Sequence, residues 1–197
     1  AGWAAPCKGG RAKFCSRIAE ALRGRMDEIA TIVTREAGMP KWLSQLVQAG
    51  LPINSFGTAA ALAESYEYET TVGSSLVIKE PVGVVGAITP WNYPLTNAVT
   101  KIAPAIGTGN GVVLKPAEQT PVSALLLASL SAEAGLPSGL VNVLNGPGAA
   151  TGDRLARRQG RQTTVATGAR AGGRALGVRA ALVLDQVGGG TFAGRKG

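Results

Sequence analysis

The pattern of apolar and polar positions is most regular in the middle of the chain, between Glu80 and Glu118. Two apolar runs, at residues 82–88 and 111–116, are separated by a segment long enough for one crossover helix. The pattern predicts a parallel βαβ unit. Polar residues follow each strand, and ligands of open parallel sheets bind outside the carboxyl ends of the strands. A ligand site is therefore expected at this edge.

The alternation continues towards the C-terminus. Thr120 is a suitable N-cap, Pro121 suits the first helical position, and Gly135 is suited to end that helix. A strand at residues 140–144 and a helix from about residue 149 follow. The order β-α-β-α-β-α predicts an α/β fold with a Rossmann-like, doubly wound parallel sheet.

Helical periodicity dominates the N-terminal third. Residues 8–38 read as a helix that is broken near Gly24 and stopped by Gly38, and residues 41–68 read as a second helix that Pro52 should kink. Four bulky residues are expected on one face of this second helix: Trp42, Leu46, Ile53 and Phe56.

A single strand is predicted at residues 72–79. We therefore divide the chain into an N-terminal helical segment, 1–70, that packs on the sheet, and an α/β cofactor-binding domain, 71–197.

The pattern decays after about residue 155, so that 156–197 reads as degraded or aberrant. Short apolar runs at 163–167 and 180–187 are compatible with two further strands around an Arg/Gly-rich helix. Residues 151–197 hold 9 of the 20 Lys and Arg residues but 2 of the 12 Asp and Glu residues. Such a basic segment could bind nucleic acid, but its one aromatic residue, Phe192, offers no stacking ladder for bases. No nucleic-acid partner is expected.

Composition restricts the class of protein. Hydrophobic residues make up 45% of 197 residues, which is typical of a globular chain. No apolar run approaches the roughly 20 residues of a membrane span, and the N-terminus lacks the apolar stretch of a signal peptide. We expect a cytoplasmic protein without a membrane partner. The first residue is Ala1 rather than Met, which suggests a fragment or a processed chain.

The chain contains no histidine, which removes Ser–His, Cys–His and His–metal chemistry. No metal site is predicted. Cys7 and Cys15 are interpreted as partly buried structural thiols. Neither is interpreted as a nucleophile, because no base is near them in sequence.

Candidate chemistry lies where the two central strands end. Lys115 and Glu118 could donate to and accept from the hydroxyls of a ribose, or could form a surface ion pair. Asn92 could donate to an oxyanion that develops on a carbonyl, or could cap the next helix. Trp91 could equally be a core residue.

A glycine-rich turn, GPGAATG, follows the third strand. It resembles the dinucleotide fingerprint GxGxxG with one residue too many, and the acidic residue expected about 20 positions later is absent. A tight turn into a helix would use the same glycines.

Three blocks, EPVGVVGAITPWNYPL, GNGVVLKPAEQTP and EAGLPSGLVNVLNGPG, occur in the order and at the spacing of the aldehyde dehydrogenase superfamily. The resemblance is strong over about residues 70–155, looser over 1–69, and poor after about 156.

The resemblance implies roles for nine residues. Asn92 matches the catalytic asparagine of the oxyanion hole. The residues implied to bind the cofactor are Ile88, Thr89, Pro90, Trp91, Lys115, Glu118, Gly148 and Gly152. The first four line the nicotinamide and pyrophosphate side, Lys115 and Glu118 hold the adenosine ribose, and the two glycines lie near the adenine. The glutamate favours NAD, with NADP possible.

The family oxidises an aldehyde to a carboxylic acid through a cysteine thiolate and a glutamate base. The chain departs from this pattern at Ala166–Ala169, where a Phe and a Ser are missing, and at Gln186, which stands where the base is expected. Neither Cys7 nor Cys15 matches the catalytic cysteine. We therefore expect an oxidoreductase by descent whose isolated chain is inactive, with truncation or a frameshift past residue 155 as the preferred explanation.

Two alternatives stay open: a non-catalytic nucleotide-binding remnant and, less favoured, a basic nucleic-acid-binding module. Family members are homo-oligomers, but this chain matches none of their oligomerisation parts.

Overall fold

The structure, a computed structural model, describes Trp3, residues 8–157 and residues 163–166. The predictions about Cys7, residues 167–169, residues 180–187 and Gln186 lie outside the described residues.

The N-terminal helix pair agrees with the sequence pattern. Helix α1 spans Lys8–Gly24 and helix α2 spans Met26–Ala37, with the break at Arg25. Gly38 ends α2 in the left-handed conformation, φ 69°, and its N–H donates to the carbonyl of Thr34. That conformation is one that glycine adopts at little cost.

A continuous helical stretch follows, in which the hydrogen-bonding pattern changes from α-helical to π-helical and back. Helix α3, Lys41–Leu43, runs into a π-helical turn, Ser44–Gly50, and then into helix α4, Leu51–Ser65. The π-helical turn ends at Gly50, two residues before Pro52. Proline has no N–H and cannot donate a hydrogen bond to the preceding helical turn.

The π-helical turn breaks the 3.6-residue period of the helix. The prediction that four bulky residues share one face of this helix is therefore wrong. Ile53 and Phe56 are buried, whereas Trp42 and Leu46 are 67% and 63% exposed. The helix also ends at Ser65, not at residue 68.

A two-stranded ribbon replaces the single strand predicted at 72–79. Strand β1, Glu69–Val72, pairs antiparallel with strand β2, Ser75–Ile78. Gly73 turns the chain between them with φ 60°. The prediction was wrong because Gly73 was read as part of a strand rather than as the turn it permits.

The main sheet has four parallel strands in the order β5-β4-β3-β6. These are β3 at Val84–Ile88, β4 at Gly111–Lys115, β5 at Val141–Val143 and β6 at Thr163–Ala166. β4 and β5 extend the sheet to one side of β3, and β6 extends it to the other. This reversal confirms the doubly wound, Rossmann-like α/β fold, with its switch point at β3.

Helices connect the strands. α5 spans Pro94–Gly107, α6 spans Val122–Glu133, and a π-helical turn, Gly148–Gly152, leads into α7, Asp153–Arg157. One buried cluster joins residues of α1, α4, α5 and α6 to residues of β3 and β4. The N-terminal helices reach this cluster by packing against α5 and α6, which themselves contact the strands. The division at residue 70, with a first segment that packs on the sheet, stays a prediction.

Buried Arg11 joins the helical layer to the end of α5. The side chain is 2% exposed, Nε donates to the carbonyl of Gly107 at 3.2 Å, and the guanidinium lies over the ring of Tyr68. None of the described helices is long and apolar enough to cross a membrane.

Candidate functional site

The turn after β3 carries four of the predicted residues at the carboxyl edge of the sheet. Ile88 ends the strand, flanked in register by Lys115 on one side and Ala166 on the other. Trp91 is 55% exposed and is therefore not a core residue. Asn92 is also exposed, and Tyr93, not Asn92, occupies the N-cap position of α5. The side chain of Asn92 is thus left available at the edge.

Thr89 shows that this edge contains unused hydrogen-bonding capacity. Its N–H donates to the carbonyl of Lys115 at 3.1 Å, which continues the β3–β4 ladder. Its hydroxyl is buried and has no partner among the residues that the structure describes. Since buried polar groups are nearly always hydrogen-bonded, an orphaned hydroxyl at a ligand edge points to a group that is bound there.

Two distant side chains hold this turn, and the sequence reading missed both. Gln48 Oε1 accepts the N–H groups of Leu95 and Thr96 at 3.1 and 3.2 Å. Thr120 Oγ1 donates to the carbonyl of Trp91 at 3.2 Å. The only local signal for either contact was the unusual start of α5, which has no capping residue of its own.

Thr120 is therefore not the N-cap of α6, and that prediction was wrong. Helix α6 begins at Val122, and the carboxylate of Glu36 accepts the N–H groups of Val122 and Ser123. The negative charge of Glu36 also suits the positive end of the helix dipole. A cap supplied from α2 leaves the hydroxyl of Thr120 free for Trp91.

Lys115 ends β4 with its side chain inside the protein. The side chain is 4% exposed, and no salt bridge joins it to Glu118 or to another of the described residues. Burial lowers the pKa of the Lys115 ammonium below its usual range, and the charge of Glu118 offsets part of this effect. The alternative of a surface ion pair is thus excluded.

Glu118 and Gly148 meet across the same edge. Glu118 Oε2 accepts the N–H of Gly148 at 2.8 Å. Lys115 Nζ lies 4.0 Å from the position that a Cβ on Gly148 would occupy. The structure therefore brings together three of the predicted residues, from the ends of β4 and β5.

Gly146 and Gly152, the other two glycines considered in this turn, differ in whether the structure has room for a Cβ. Gly146 has φ 153°, and a Cβ there would overlap Thr151 Oγ1. Gly152 is buried in the π-helical turn, and a Cβ there would meet nothing within 4 Å. The tight-turn interpretation explains Gly146, but no crowding in the structure explains Gly152.

Cys15 is the described cysteine, and it is fully buried and free. Burial raises the pKa of its thiol to about 11, against a smaller opposing effect of Arg11. A thiol in this state is a poor nucleophile at neutral pH. Among the described residues, no group of three or more Cys, Asp and Glu could hold a metal ion.

These groups suit a ligand with hydroxyls and negative charge. The edge offers a buried cation without a salt bridge to the described residues, a carboxylate and a buried hydroxyl, and an exposed amide lies in the turn that follows. A dinucleotide presents the matching ribose hydroxyls and phosphates. The residues present therefore fit the cofactor that the sequence resemblance implies.

Comparison with known proteins agrees with this fold. A sequence profile described as "Aldehyde dehydrogenase family" matches residues 1–188. A 3-succinoylsemialdehyde-pyridine dehydrogenase from a Pseudomonas species is 37% identical over 192 residues, which cover 94% of this chain and 39% of that protein.

Solved structures give the same result. Aldehyde dehydrogenase C from Pseudomonas syringae, a C291A mutant in complex with NAD⁺ and octanal, superposes with a TM-score of 0.86 at 36% identity. The match covers 89% of this chain and 36% of that one. An NAD-dependent aldehyde dehydrogenase from Sinorhizobium meliloti has a TM-score of 0.82 at 35% identity, over 86% and 35% of the two chains. This chain therefore spans less than two fifths of the length of these relatives.

Proposed function

This chain belongs to the aldehyde dehydrogenase family, and from that premise we propose that its sheet edge binds NAD and presents Asn92 to the carbonyl of an aldehyde. Bound NAD would supply the hydride acceptor that the oxidation of an aldehyde requires. The 197-residue chain supplies the part that binds and orients.

The observation that carries this proposal is the arrangement of Lys115, Glu118 and Gly148. Lys115 is buried without a salt bridge at the end of β4, and Glu118 is fixed by the N–H of Gly148. A fixed carboxylate accepts hydrogen bonds from the two hydroxyls of a ribose, and the ammonium donates to the same sugar. We assign the adenosine ribose to this pair and the adenine side to Gly148 and Gly152.

The turn after β3 serves the other end of the cofactor. We assign the nicotinamide and pyrophosphate side to Ile88, Thr89, Pro90 and Trp91. The buried hydroxyl of Thr89 is an unused hydrogen-bonding group in this region. The amide of Asn92, an exposed residue three positions after Thr89, donates to the oxyanion that forms when a nucleophile adds to the aldehyde carbonyl.

We expect no turnover from the isolated 197-residue chain. Its two cysteines are Cys7 and Cys15. Burial raises the pKa of the Cys15 thiol to about 11, so little thiolate is present at neutral pH. Neither cysteine matches the position of the family nucleophile. An NAD-dependent aldehyde oxidation assay that shows turnover would contradict this expectation.

Calorimetric titration with NAD tests the binding proposal. We expect the wild-type chain to bind, Glu118→Ala to bind about tenfold or more weakly, and Lys115→Met to bind more weakly while keeping the apolar stem packed. The expected losses follow from the value of a hydrogen bond to a charged group, about 1.5–3 kcal/mol. Glu64→Ala, at an exposed glutamate of α4, is the matched control.

Either of two results would refute the assignment: no binding of NAD by the folded wild-type chain, or equal binding by the wild type and both variants. The preference for NAD over NADP has its own test. A 2′-phosphate would meet the negative charge of Glu118, so Glu118→Gln should narrow the difference in affinity between the two cofactors.

A further inference from the structure

We infer that Gln48 and Thr120 are positioning residues that fix the turn of residues 90–93, and with it the amide of Asn92. The inference rests on the proposed function for the role of Asn92. The hydrogen bonds that carry it are independent of any ligand.

The need for such residues follows from how α5 begins. The helix starts with Pro94, its N-cap is Tyr93, and no side chain of the turn caps it. The first turn contains no acidic residue. The first N–H groups of a helix have no partner within the helix and must find one elsewhere when they are buried. Leu95 is buried, so water cannot satisfy its N–H.

Gln48 supplies that partner from 47 residues upstream. Its side chain is fully buried, and Oε1 accepts from Leu95 N and Thr96 N at 3.1 and 3.2 Å. The hydroxyl of Thr96 donates to the carbonyl of Val47 at 2.7 Å, which ties the same two elements a second time. The π-helical turn Ser44–Gly50 presents Gln48 in this position. Such turns occur often at functional sites.

Thr120 holds the turn from the opposite side. Its side chain is 1% exposed, and Oγ1 donates to the carbonyl of Trp91, the residue directly before Asn92. Asn92 is exposed and makes no hydrogen bond through its side chain to another of the described residues. Its position is therefore set by its backbone, which lies between a fixed carbonyl and a fixed helix start.

The other polar atom of the Gln48 amide gives a way to test this role. Nε2 is a buried donor without a partner in the described part of the chain. Gln48→Glu removes that donor, keeps the acceptor and adds a negative charge at the positive end of α5. Gln48→Leu keeps the size but removes the acceptor. The two variants therefore separate the accepting role from simple packing.

The test measures local opening in the full 197-residue chain. Hydrogen exchange at the Leu95 and Thr96 amides reports on Gln48. Fluorescence anisotropy of Trp91, in a Trp3→Phe, Trp42→Phe background, reports on Thr120. We expect Gln48→Leu to speed exchange at both amides by about tenfold or more, and Thr120→Val to lower the anisotropy. Gln48→Glu and Thr120→Ser should restore the wild-type values.

Two controls match these variants. Gln45→Leu changes a half-buried glutamine of the same π-helical turn whose amide contacts Asp27. Thr34→Val removes a hydroxyl that donates to its own helix. Neither control should alter exchange at Leu95 and Thr96 or the anisotropy of Trp91. If Gln48→Leu unfolds the chain, Thr120→Val decides the question alone.

Binding of NAD separates this inference from the proposed function. If the wild type binds NAD, Gln48→Leu and Thr120→Val should bind at least about threefold more weakly and the conservative variants should not. If the wild type does not bind NAD, the proposed function fails while the exchange and anisotropy measurements still test the positioning role. Unchanged exchange in Gln48→Leu, together with unchanged anisotropy in Thr120→Val, would overturn the inference.

Discussion

At the scale of single residues, Lys115 combines a positive charge with a buried position. Burial lowers the pKa of its ammonium below the ordinary value of 10.5. The protonated form is the one that donates to ribose or phosphate oxygens. Affinity for NAD should therefore be full at neutral pH and should fall as pH rises through the lowered pKa. Titrations over a series of pH values, with Lys115→Met as the pH-independent control, check this.

Lys115 should also affect stability, but in the opposite direction: the free energy of unfolding should rise with pH, whereas the affinity for NAD falls. Below the lowered pKa the folded state carries a charge that it disfavours, so ionised Lys115 costs stability. That cost is relieved as pH rises towards 10.5. Lys115→Met should therefore flatten this part of the pH dependence of unfolding, and a profile that is unchanged in the variant would argue against the burial of the amine.

Cys15 gives a second residue-scale prediction. In a Cys7→Ser background, the thiol should not react with a disulfide reagent at pH 8 until the chain is unfolded. The folded pKa of about 11 exceeds the ordinary value of 9.0, so stability is full below pH 9 and is lost as pH rises towards 11. The loss should reach about 3 kcal/mol. Rapid labelling of the native chain would contradict the burial.

Which residues the sequence could predict depends on where their partners lie. Lys115 ends a strand and Glu118 and Asn92 follow strands, so the end of each strand indicated their edge. Gln48 and Thr120 act on groups 47 and 29 residues away in sequence. Such contacts leave no trace in local propensity, and Thr120 even carried a strong local signal for a different role.

At the scale of elements, the turn after β5 depends on Gly146 rather than on Gly152. Gly146→Ala should destabilise the chain by about 1–3 kcal/mol, because its φ of 153° and its contact with Thr151 leave no room for a Cβ. Gly152→Ala is the matched control. It should be neutral or slightly stabilising, as an alanine in a helical turn usually is. Urea unfolding of both variants measures the difference.

The β1–β2 ribbon exposes apolar side chains to water. Leu76 and Ile78 are each 59% exposed and lie on one face of β2. An isolated two-stranded ribbon with apolar exposed residues is a site for aggregation. Leu76→Lys with Ile78→Glu should raise the soluble fraction on expression. Ser74→Lys, in the turn, should not, and an equal gain from it would assign the effect to charge alone.

Helices and strands could be predicted where the spacing of apolar residues kept the same period along the whole element. The parallel strands and the helices between them follow from alternation and stop signals, and the positions of β3, β4 and β5 agree with prediction to within two residues. The π-helical turn and the ribbon were missed because each changes period within a few residues. Trp42 and Leu46 were assigned to the same face as Ile53 and Phe56 on a period that the chain abandons at Ser44.

At the scale of the whole molecule, the strand order decides where the site lies. β3 is central, with β4 and β6 on its two sides, so the turn of Asn92 leaves the sheet at the reversal of strand order. Lys115 and Glu118 follow the next strand along the same edge. The buried ammonium of Lys115, the carboxylate of Glu118 and the buried hydroxyl of Thr89 give a physical reason to expect a dinucleotide at this edge.

The central claim is that Glu118 and Lys115 hold the adenosine ribose of NAD. The most direct measurement compares the affinity of the wild-type chain for NAD with its affinity for the analogue that lacks the adenosine 2′-hydroxyl, and repeats the comparison in Glu118→Ala. We predict that the wild type loses about tenfold or more in affinity for the analogue, since a hydrogen bond to a charged carboxylate is lost, and that Glu118→Ala binds both equally. A wild-type chain that binds NAD and the analogue with the same affinity would contradict the claim.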